Sequence, residues 1–303
     1  MTYANLPNLN ETVIAALDFF TKNKPANLNL KAFSFPIVVG SGNAYNTGQI
    51  IFSGQPAIIA SESNFKQVLS DYKKLIKTKV ITQAVIISAS GEKDSVWEIK
   101  LAKKNNLTTT LLTCSPDSSA AKLADTVISY KKLPEPYTYN VSTYLGIIAA
   151  AGKEDLSSIK KIITGLKLPA NFKKYNAFSF ILPDEFAFIA PMLEIKRNEL
   201  FGPYISLRAF SFGEARHAKF VNNSEKELVI SFGENKYFGL KNNRWEIKMP
   251  SNVGNSFIMA LAYYLIGKVQ ESKPAYFKKN IAKFCLEGPR AYGSDKPFSV
   301  IVK

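Results

Sequence analysis

The chain is poor in the residues on which several common chemistries depend. In 303 residues it has two cysteines, Cys114 and Cys285, and one histidine, His217. Two thiols argue against a disulfide framework or a cysteine zinc site, and such sparing use fits a reducing cytoplasm. One imidazole removes most metal centres and most histidine-based catalytic triads. Long apolar runs are missing as well: the richest, around Phe257 to Ile266, falls short of the roughly 18 residues that span a bilayer. The opening MTYANLPNLNET has no basic region, apolar core or cleavage site, so no secretory signal is expected. Acidic residues are few, 24 against 39 Lys and Arg, which leaves a formal net charge of +15.

What is present is ordinary globular composition, 46% hydrophobic and 21% charged, in a chain long enough for two domains. The surplus lysines are dispersed. Lys73-Lys74, Lys103-Lys104, Lys131-Lys132, Lys160-Lys161 and Lys278-Lys279 fall on the polar faces or ends of expected helices, with no basic run or arginine stripe. That pattern reads as solvated surface and speaks against a nucleic-acid partner. A general positive potential still speeds the arrival of a phosphorylated metabolite.

Short apolar runs alternate with amphipathic stretches. Strands are expected at FPIVV (35–39), AIIA (57–60), AVII (84–87), TTLLT (109–113) and 126–129, and helices at 64–76, 93–104, 118–124 and 141–151. A second series follows: strands at FSFIL (178–182), 205–210 and LVISF (228–232), weaker signals near Tyr237 and at 246–249, and helices at 188–200 and 255–269. This rhythm predicts an α/β chain whose parallel sheets are covered by helices on both faces. The first domain is expected over 1–155, with an N-terminal helical segment, and the second over 156–303, with a C-terminal tail.

In such sheets a ligand sits beyond the carboxyl ends of the strands. Two loops there have the right chemistry: Gly40-Ser41-Gly42-Asn43 after FPIVV, and Ser88-Ala89-Ser90-Gly91-Glu92 after AVII. Small residues, hydroxyls and unpaired amides at a helix start make an anion cradle. Each loop alone is also ordinary capping and turn material.

The ordered set GSGNAY, ASESNF, SASGEKDSV and LLTCSPDSSAAKLADTVI resembles the sugar isomerase (SIS) domain, strongly over 35–130 and more weakly over 178–235. The resemblance implies two flavodoxin-like SIS domains in tandem, similar to the isomerase half of glucosamine-6-phosphate synthase and related deaminases. That synthase's glutaminase half is not expected here. A homodimer with shared active sites, binding a hexose or amino-hexose phosphate, is implied, with no metal and no organic cofactor. Ser41, Gly42, Asn43, Ser88, Ala89, Ser90, Gly91 and Lys93 would hold the phosphate.

Gly213-Glu214-Ala215-Arg216-His217 is similar to the family's G-E-x-K-H motif, which implies that His217 opens the sugar ring in the partner's site; an imidazole suits that proton shuttle. The family's base lies on a helix before it. Direct alignment lands on Arg197 and counting back from His217 lands on Phe201, neither of which is a base. Glu199 lies between them, with Glu194 second, and the bland alternative for each is a solvated helix carboxylate. The family's phosphate threonine is Lys93 here, a serine of the first loop is Ala44, and Ala218 and Lys219 stand where a glycine and a proline usually follow the histidine. The tail DKPFSVIVK puts Phe298 at the family's ring-opening lysine, with Lys296 nearby as its substitute or as an exposed turn residue. The expected activity is a cytoplasmic aldose–ketose isomerase or amino-sugar-phosphate isomerase or deaminase acting on a hexose 6-phosphate. The alternative is a non-catalytic phosphosugar-binding regulator.

Overall fold

The computed structural model describes residues 3–218 and 223–303. Its first elements are α1 (Leu9–Lys22), β1 (Ile37–Gly40), α2 (Asn43–Phe52), β2 (Ile58–Ser61), α3 (Phe65–Asp71), α4 (Lys73–Lys77) and β3 (Gln83–Ile87). Then come α5 (Asp94–Lys104), β4 (Thr108–Thr113), β5 (Thr126–Ser129), β6 (Glu135–Pro136), α6 (Val141–Ala151) and α7 (Leu156–Thr164). The remainder is β7 (Ala177–Leu182), α8 (Ala190–Phe201), β8 (Ser206–Ser211), α9 (Phe212–Ala218), β9 (Glu227–Phe232), β10 (Arg244–Ile247), α10 (Asn255–Ser272), α11 (Tyr276–Glu287) and β11 (Ile301–Val302). No helix among the described residues is long and apolar enough to cross a membrane. The backbone packs into two compact units. One comprises Asn23–Lys132 and Thr143–Lys153; the other comprises Met1–Lys22, Leu133–Ser142 and Glu154–Lys303. The expected cut near 155 follows chain order, whereas packing groups the N-terminal helix and the 133–142 segment with the later residues.

The N-terminal sheet unit has five parallel strands in the order β2-β1-β3-β4-β5. Its central strands, Ile37–Gly40 and Gln83–Ile87, are buried almost throughout, as runs of β-branched residues must be when helices cover both faces. Ile37, Val39, Ile86 and Leu111 pack with Phe65, Leu69 and Ile99 of the flanking helices. The expected helix over 64–76 is interrupted at Tyr72, whose backbone (φ −94°, ψ 11°) leaves the helical region. The helix expected over 118–124 does not form. Its Ser119 N–H donates to Glu92 Oε1 at 2.9 Å and its Ala120 N–H to the Gly91 carbonyl at 2.9 Å, which ties the stretch to the preceding loop, and beyond them it closes only turns, such as Lys122 N–H to the Ser118 carbonyl at 3.2 Å.

The C-terminal sheet unit has four parallel strands in the order β10-β9-β7-β8, and a separate antiparallel pair joins β6 to β11. Read from β8, the winding repeats that of β2-β1-β3-β4. The apolar helix α10 is buried over most of its length and packs on α1 so closely that a Cβ on Gly267 would fall 1.9 Å from the Asn10 nitrogen. Its first turn is closed by the Glu154 carboxylate, which accepts from the N–H groups of Gly254 (2.8 Å), Ser256 (2.8 Å) and Phe257 (3.1 Å). A carboxylate there satisfies orphan amides and meets the positive end of the helix dipole.

One buried acid makes the stability of the N-terminal unit depend on pH. Glu98 on α5 is 1% exposed, its Oε1 has no hydrogen-bond partner, and burial, aided by Asp94 and Glu62, pushes its pKa up to about 8. A carboxyl whose folded pKa is raised binds its proton more tightly in the folded state. Its stabilising contribution is therefore complete below the ordinary carboxylate pKa and is lost as pH rises towards 8. Unfolding free energies from urea titrations should fall between pH 5 and 8.5 by an amount on the order of 3 kcal/mol, and Glu98→Gln should flatten the decline. Equal slopes for the two proteins would show that Glu98 is not the source.

Candidate functional site

In a 2-1-3-4-5 sheet the chain winds away from β1 in both directions, so the loops after β1 and β3 diverge and leave a crevice. The loops singled out from sequence are those two. Ser41 Oγ donates to Asp94 Oδ2 at 3.3 Å, which ties the β1–α2 loop to the start of α5, and Asp94 Oδ1 accepts from Trp97 Nε1 at 3.2 Å. Ser88 Oγ accepts from the Gly91 amide at 3.1 Å, and Ser90 Oγ accepts from the Glu92 amide at 3.4 Å. Each hydroxyl keeps its proton to donate. The Ala89 carbonyl is held by Thr113 Oγ1, Ser115 Oγ and the Cys114 amide, so that strand β4 fixes the loop from behind. Glu92, accepting from Ser119, is kept below the usual carboxylate range by that hydrogen bond.

Backbone conformation completes the cradle. Gly91 has φ +61°, and a Cβ there would meet Ser118 Oγ at 2.0 Å. Gly42 (φ 54°, ψ −120°) and Lys93 (φ 56°, ψ −118°) precede α2 and α5 in nearly the same conformation. For lysine that region is strained by about 1–3 kcal/mol. Burial draws the Lys93 pKa below the ordinary lysine value, while Asp94 acts the other way. Asn43, 8% exposed, opens α2 with its Oδ1 unpartnered. Ser41, Gly42 and Asn43 thus share one sheet edge with Ser88, Ala89, Ser90, Gly91 and Lys93.

In the C-terminal unit, Glu199 stands near the end of α8. Its Oε2 lies 2.5 Å from Nζ of Lys196, one turn earlier, which is wholly buried while the Glu199 side chain is one-fifth exposed. The same ammonium donates to the Thr138 carbonyl and lies 5.6 Å from the centre of the Tyr263 ring. Burial raises the pKa of Glu199 against the opposing pull of Lys196. Glu194, by contrast, accepts from the Ala209 amide of β8 at 3.3 Å. Lys196 was not picked out from sequence, although its three-residue spacing from Glu199 on a helix was the available signal.

Glu214 of the G-E-x-R-H motif and Ser211 cap α9 reciprocally, the Ser211 amide donating to Glu214 Oε2 at 2.8 Å and the Glu214 amide to Ser211 Oγ at 3.2 Å. This cap presents His217 on the exposed side of α9. Lys219 lies outside the described residues. Lys296 is exposed in the tail, its amide donating to Ser294 Oγ at 3.2 Å. The tail is anchored by Phe298, which stacks on Tyr137 at 4.8 Å and 17° and donates its amide to the Cys285 carbonyl at 2.9 Å. Tyr137 in turn is pushed up to about 12, by burial first and then by neighbours that include Tyr292, Cys285 and Glu199. No hydrogen bond or ion pair links Glu199, His217 and Lys296 to one another among the described residues.

No family model and no curated protein matches the chain. Solved structures do. The C-terminal domain of glucosamine-fructose-6-phosphate aminotransferase from Francisella tularensis superimposes with a TM-score of 0.58 at 16% identity, over 87% of this chain and 93% of that one. Glucosamine-6-phosphate deaminase from Thermotoga maritima gives 0.55 at 17% identity, over 86% and 92%. Tagatose-6-phosphate ketose/aldose isomerase from Escherichia coli gives 0.55 at 12% identity, over 86% and 87%. The chain therefore has the fold of these SIS-type proteins, with parallel sheets flanked by helices.

The Lys196–Glu199 pair can be tested by breaking it from one side. Lys196→Met leaves a largely buried carboxylate without its counter-ion and should destabilise the protein by about 3–5 kcal/mol in urea titrations. Lys196→Met with Glu199→Gln should recover a substantial part of the loss. A double variant no more stable than the single one would mean that the pair carries none of the energy.

Proposed function

We propose that this chain binds a phosphorylated hexose or amino-hexose and isomerises it between aldose and ketose forms, as a phosphosugar isomerase or isomerising deaminase. It would act as a cytoplasmic homodimer built from two SIS domains in tandem. The observation that carries the reading is the pair of serine- and glycine-rich loops joined by Ser41 and Asp94 at the β1/β3 crevice. The SIS-type fold supports it, since three proteins that share the fold are named for hexose 6-phosphate chemistry.

In this mechanism the phosphate accepts from the Ser88 and Ser90 hydroxyls, from the Ser41 hydroxyl once it rotates away from Asp94, and from amides at the starts of α2 and α5, with Lys93 adding a positive charge. Glu199 removes the proton from C2 of the open-chain aldose and returns it at C1, and the reverse for the ketose. A carboxyl whose pKa is raised by burial is a stronger base than one in water, and Lys196 holds it in one rotamer. His217, exposed on α9, is assigned to ring opening in the partner copy. Lys296 is the tail lysine nearest to the place that Phe298 takes.

The competing reading is a phosphosugar-binding regulator without turnover. It is favoured by one observation, the stacking of Phe298 on Tyr137 in the tail position where the resemblance expects a lysine.

Proton NMR in deuterated buffer separates the two. With fructose, glucose and glucosamine 6-phosphates as the panel, the C2 hydrogen of an accepted glucose or glucosamine ester, or one C1 hydrogen of the fructose ester, should exchange, and Glu199→Gln should slow exchange by at least about 100-fold. Because the Glu199 pKa is raised, the acid limb of kcat/KM should fall above the ordinary glutamate value, activity being lost as pH drops through it. Binding without exchange would leave the regulator. Failure of every one of these sugars to raise the melting temperature would remove both readings.

A further inference from the structure

Glu98 is a buried acid on α5, the helix that the second serine loop leads into, and the role of that side chain is not exhausted by its effect on stability. It stands one turn beyond Asp94, where residues four apart share a helix face. Asp94 is the group that joins the two loops, accepting from Ser41 Oγ at 3.3 Å and from Trp97 Nε1 at 3.2 Å. Glu98 is 1% exposed and its Oε1 has no hydrogen-bond partner; Glu62, in the turn between β2 and α3, has a buried Oε2 in the same condition. Two charged groups act on Glu98 and both are acidic, Asp94 from its own helix and Glu62 from that turn, and with burial they keep it protonated at neutral pH. The cations of the neighbouring elements face other groups: Lys66 of α3 lies 5.5 Å from the centre of the Trp97 ring, and Lys93 is coupled to Asp94. A cluster of three carboxyls with two orphaned oxygens and no cation turned to Glu98 accommodates another negative charge poorly.

An anion in the β1/β3 crevice brings that charge. When the Ser41 hydroxyl turns from Asp94 to a phosphate, Asp94 loses one of its two donors and gains a dianion as a neighbour. A proton held on Glu98 keeps the total from rising further. We propose that Glu98 is a positioning residue of the crevice that couples one proton to its occupancy: the joined loops take a dianionic ligand while Glu98 is protonated, and ionisation of Glu98 weakens that binding. This role rests on the phosphosugar reading and adds a regulation to it, because alkaline pH then loosens the ligand through a side chain that does not touch it. A bound anion opposes ionisation of a neighbouring carboxyl, so the ligand tightens the hold of Glu98 on its proton, and by reciprocity the proton tightens the hold of the crevice on its ligand by the same factor.

The experiment titrates the protein calorimetrically with glucose and fructose 6-phosphates between about pH 7 and 9, where the esters stay dianionic, in buffers of different ionisation enthalpy that count the protons exchanged. At pH 8 the wild type should take up about a third of a proton per ligand bound, and its affinity should fall about threefold to fivefold from pH 7 to 9. Glu98→Gln, which keeps the shape of the neutral acid, should take up almost none and hold its pH 7 affinity across the range. Glu62→Gln removes one of the charges that oppose ionisation of Glu98, so its decline should begin at a lower pH; a merely structural Glu98 gives no such shift, and this variant decides the matter if Glu98→Gln fails to fold. An equal decline and proton count in wild type and Glu98→Gln would assign the titration to another group, such as Lys93, and overturn the proposal. So would a decline that Glu62→Gln leaves in place. If the wild type binds neither ester at pH 7, the phosphosugar reading fails and takes this role with it; if it binds them and takes up no proton at pH 8, only the role of Glu98 falls.

Discussion

Adjacent parallel strands from which the chain leaves in opposite directions impose one constraint on the N-terminal unit: the loops after β1 and β3 must share an edge without either helix covering the gap. Their residues follow from that requirement. The loops have to turn within a few residues into α2 and α5, which selects glycine at 42 and 91 and tolerates the inverted backbone at 93. They have to be held to each other, which Ser41 and Asp94 do, and braced from behind, which falls to Thr113, Ser115 and the 118–120 turn. Two helix N-termini thereby meet at one sheet edge, so the positive ends of α2 and α5 are a consequence of the winding before any side chain contributes.

A different physical term governs the C-terminal unit. An ammonium buried completely is tolerable only when its protons are accepted, and Lys196 meets that condition with a carboxylate, a carbonyl and an aromatic face. The Thr138 carbonyl reaches it because Thr138 sits at φ 74°, in the short stretch between β6 and α6. That stretch is fixed in turn by β11 and by the stacking of Phe298 on Tyr137. The tail, the strained turn and the Lys196–Glu199 pair are therefore mechanically connected, so a change in how Phe298 packs alters the surroundings of the carboxylate.

The sheets were legible because buried parallel strands are written as compact apolar runs: IVVG, AVII, FSFIL and LVISF need no tertiary information. The serine loops were legible for a related reason, since small and hydroxylated residues between a strand and a helix mean the same thing in most contexts. What escaped was decided by distant partners. The 118–124 stretch has helical composition, yet it folds as turns tied to the 88–92 loop through Gly91 and Glu92. The two-residue strands β6 and β11 are too short to carry a period and form only because their pairing partners meet. Lys196 reads as solvated surface, as most helix lysines are, and nothing local announces its burial. Glu199 was reachable only as the carboxylate between two failed alignments.

The second sheet tests how much of the site belongs to the fold. Its winding is the same, so β7 and β9 offer a corresponding edge, yet the chemistry there is opposite. The loop after β7 begins Pro183-Asp184-Glu185, and that after β9 begins Gly233-Glu234-Asn235. Asp184 accepts from the Gly213 amide at 2.6 Å, and Arg244 gathers the carbonyls of Asn235, Lys236, Tyr237 and Gly239 around its own guanidinium. Carboxylates lead both loops of this second edge, where serines and glycines lead those of the first, so the two edges present different charge to an anion. Topology thus supplies a crevice twice, and residue chemistry makes the two of them different.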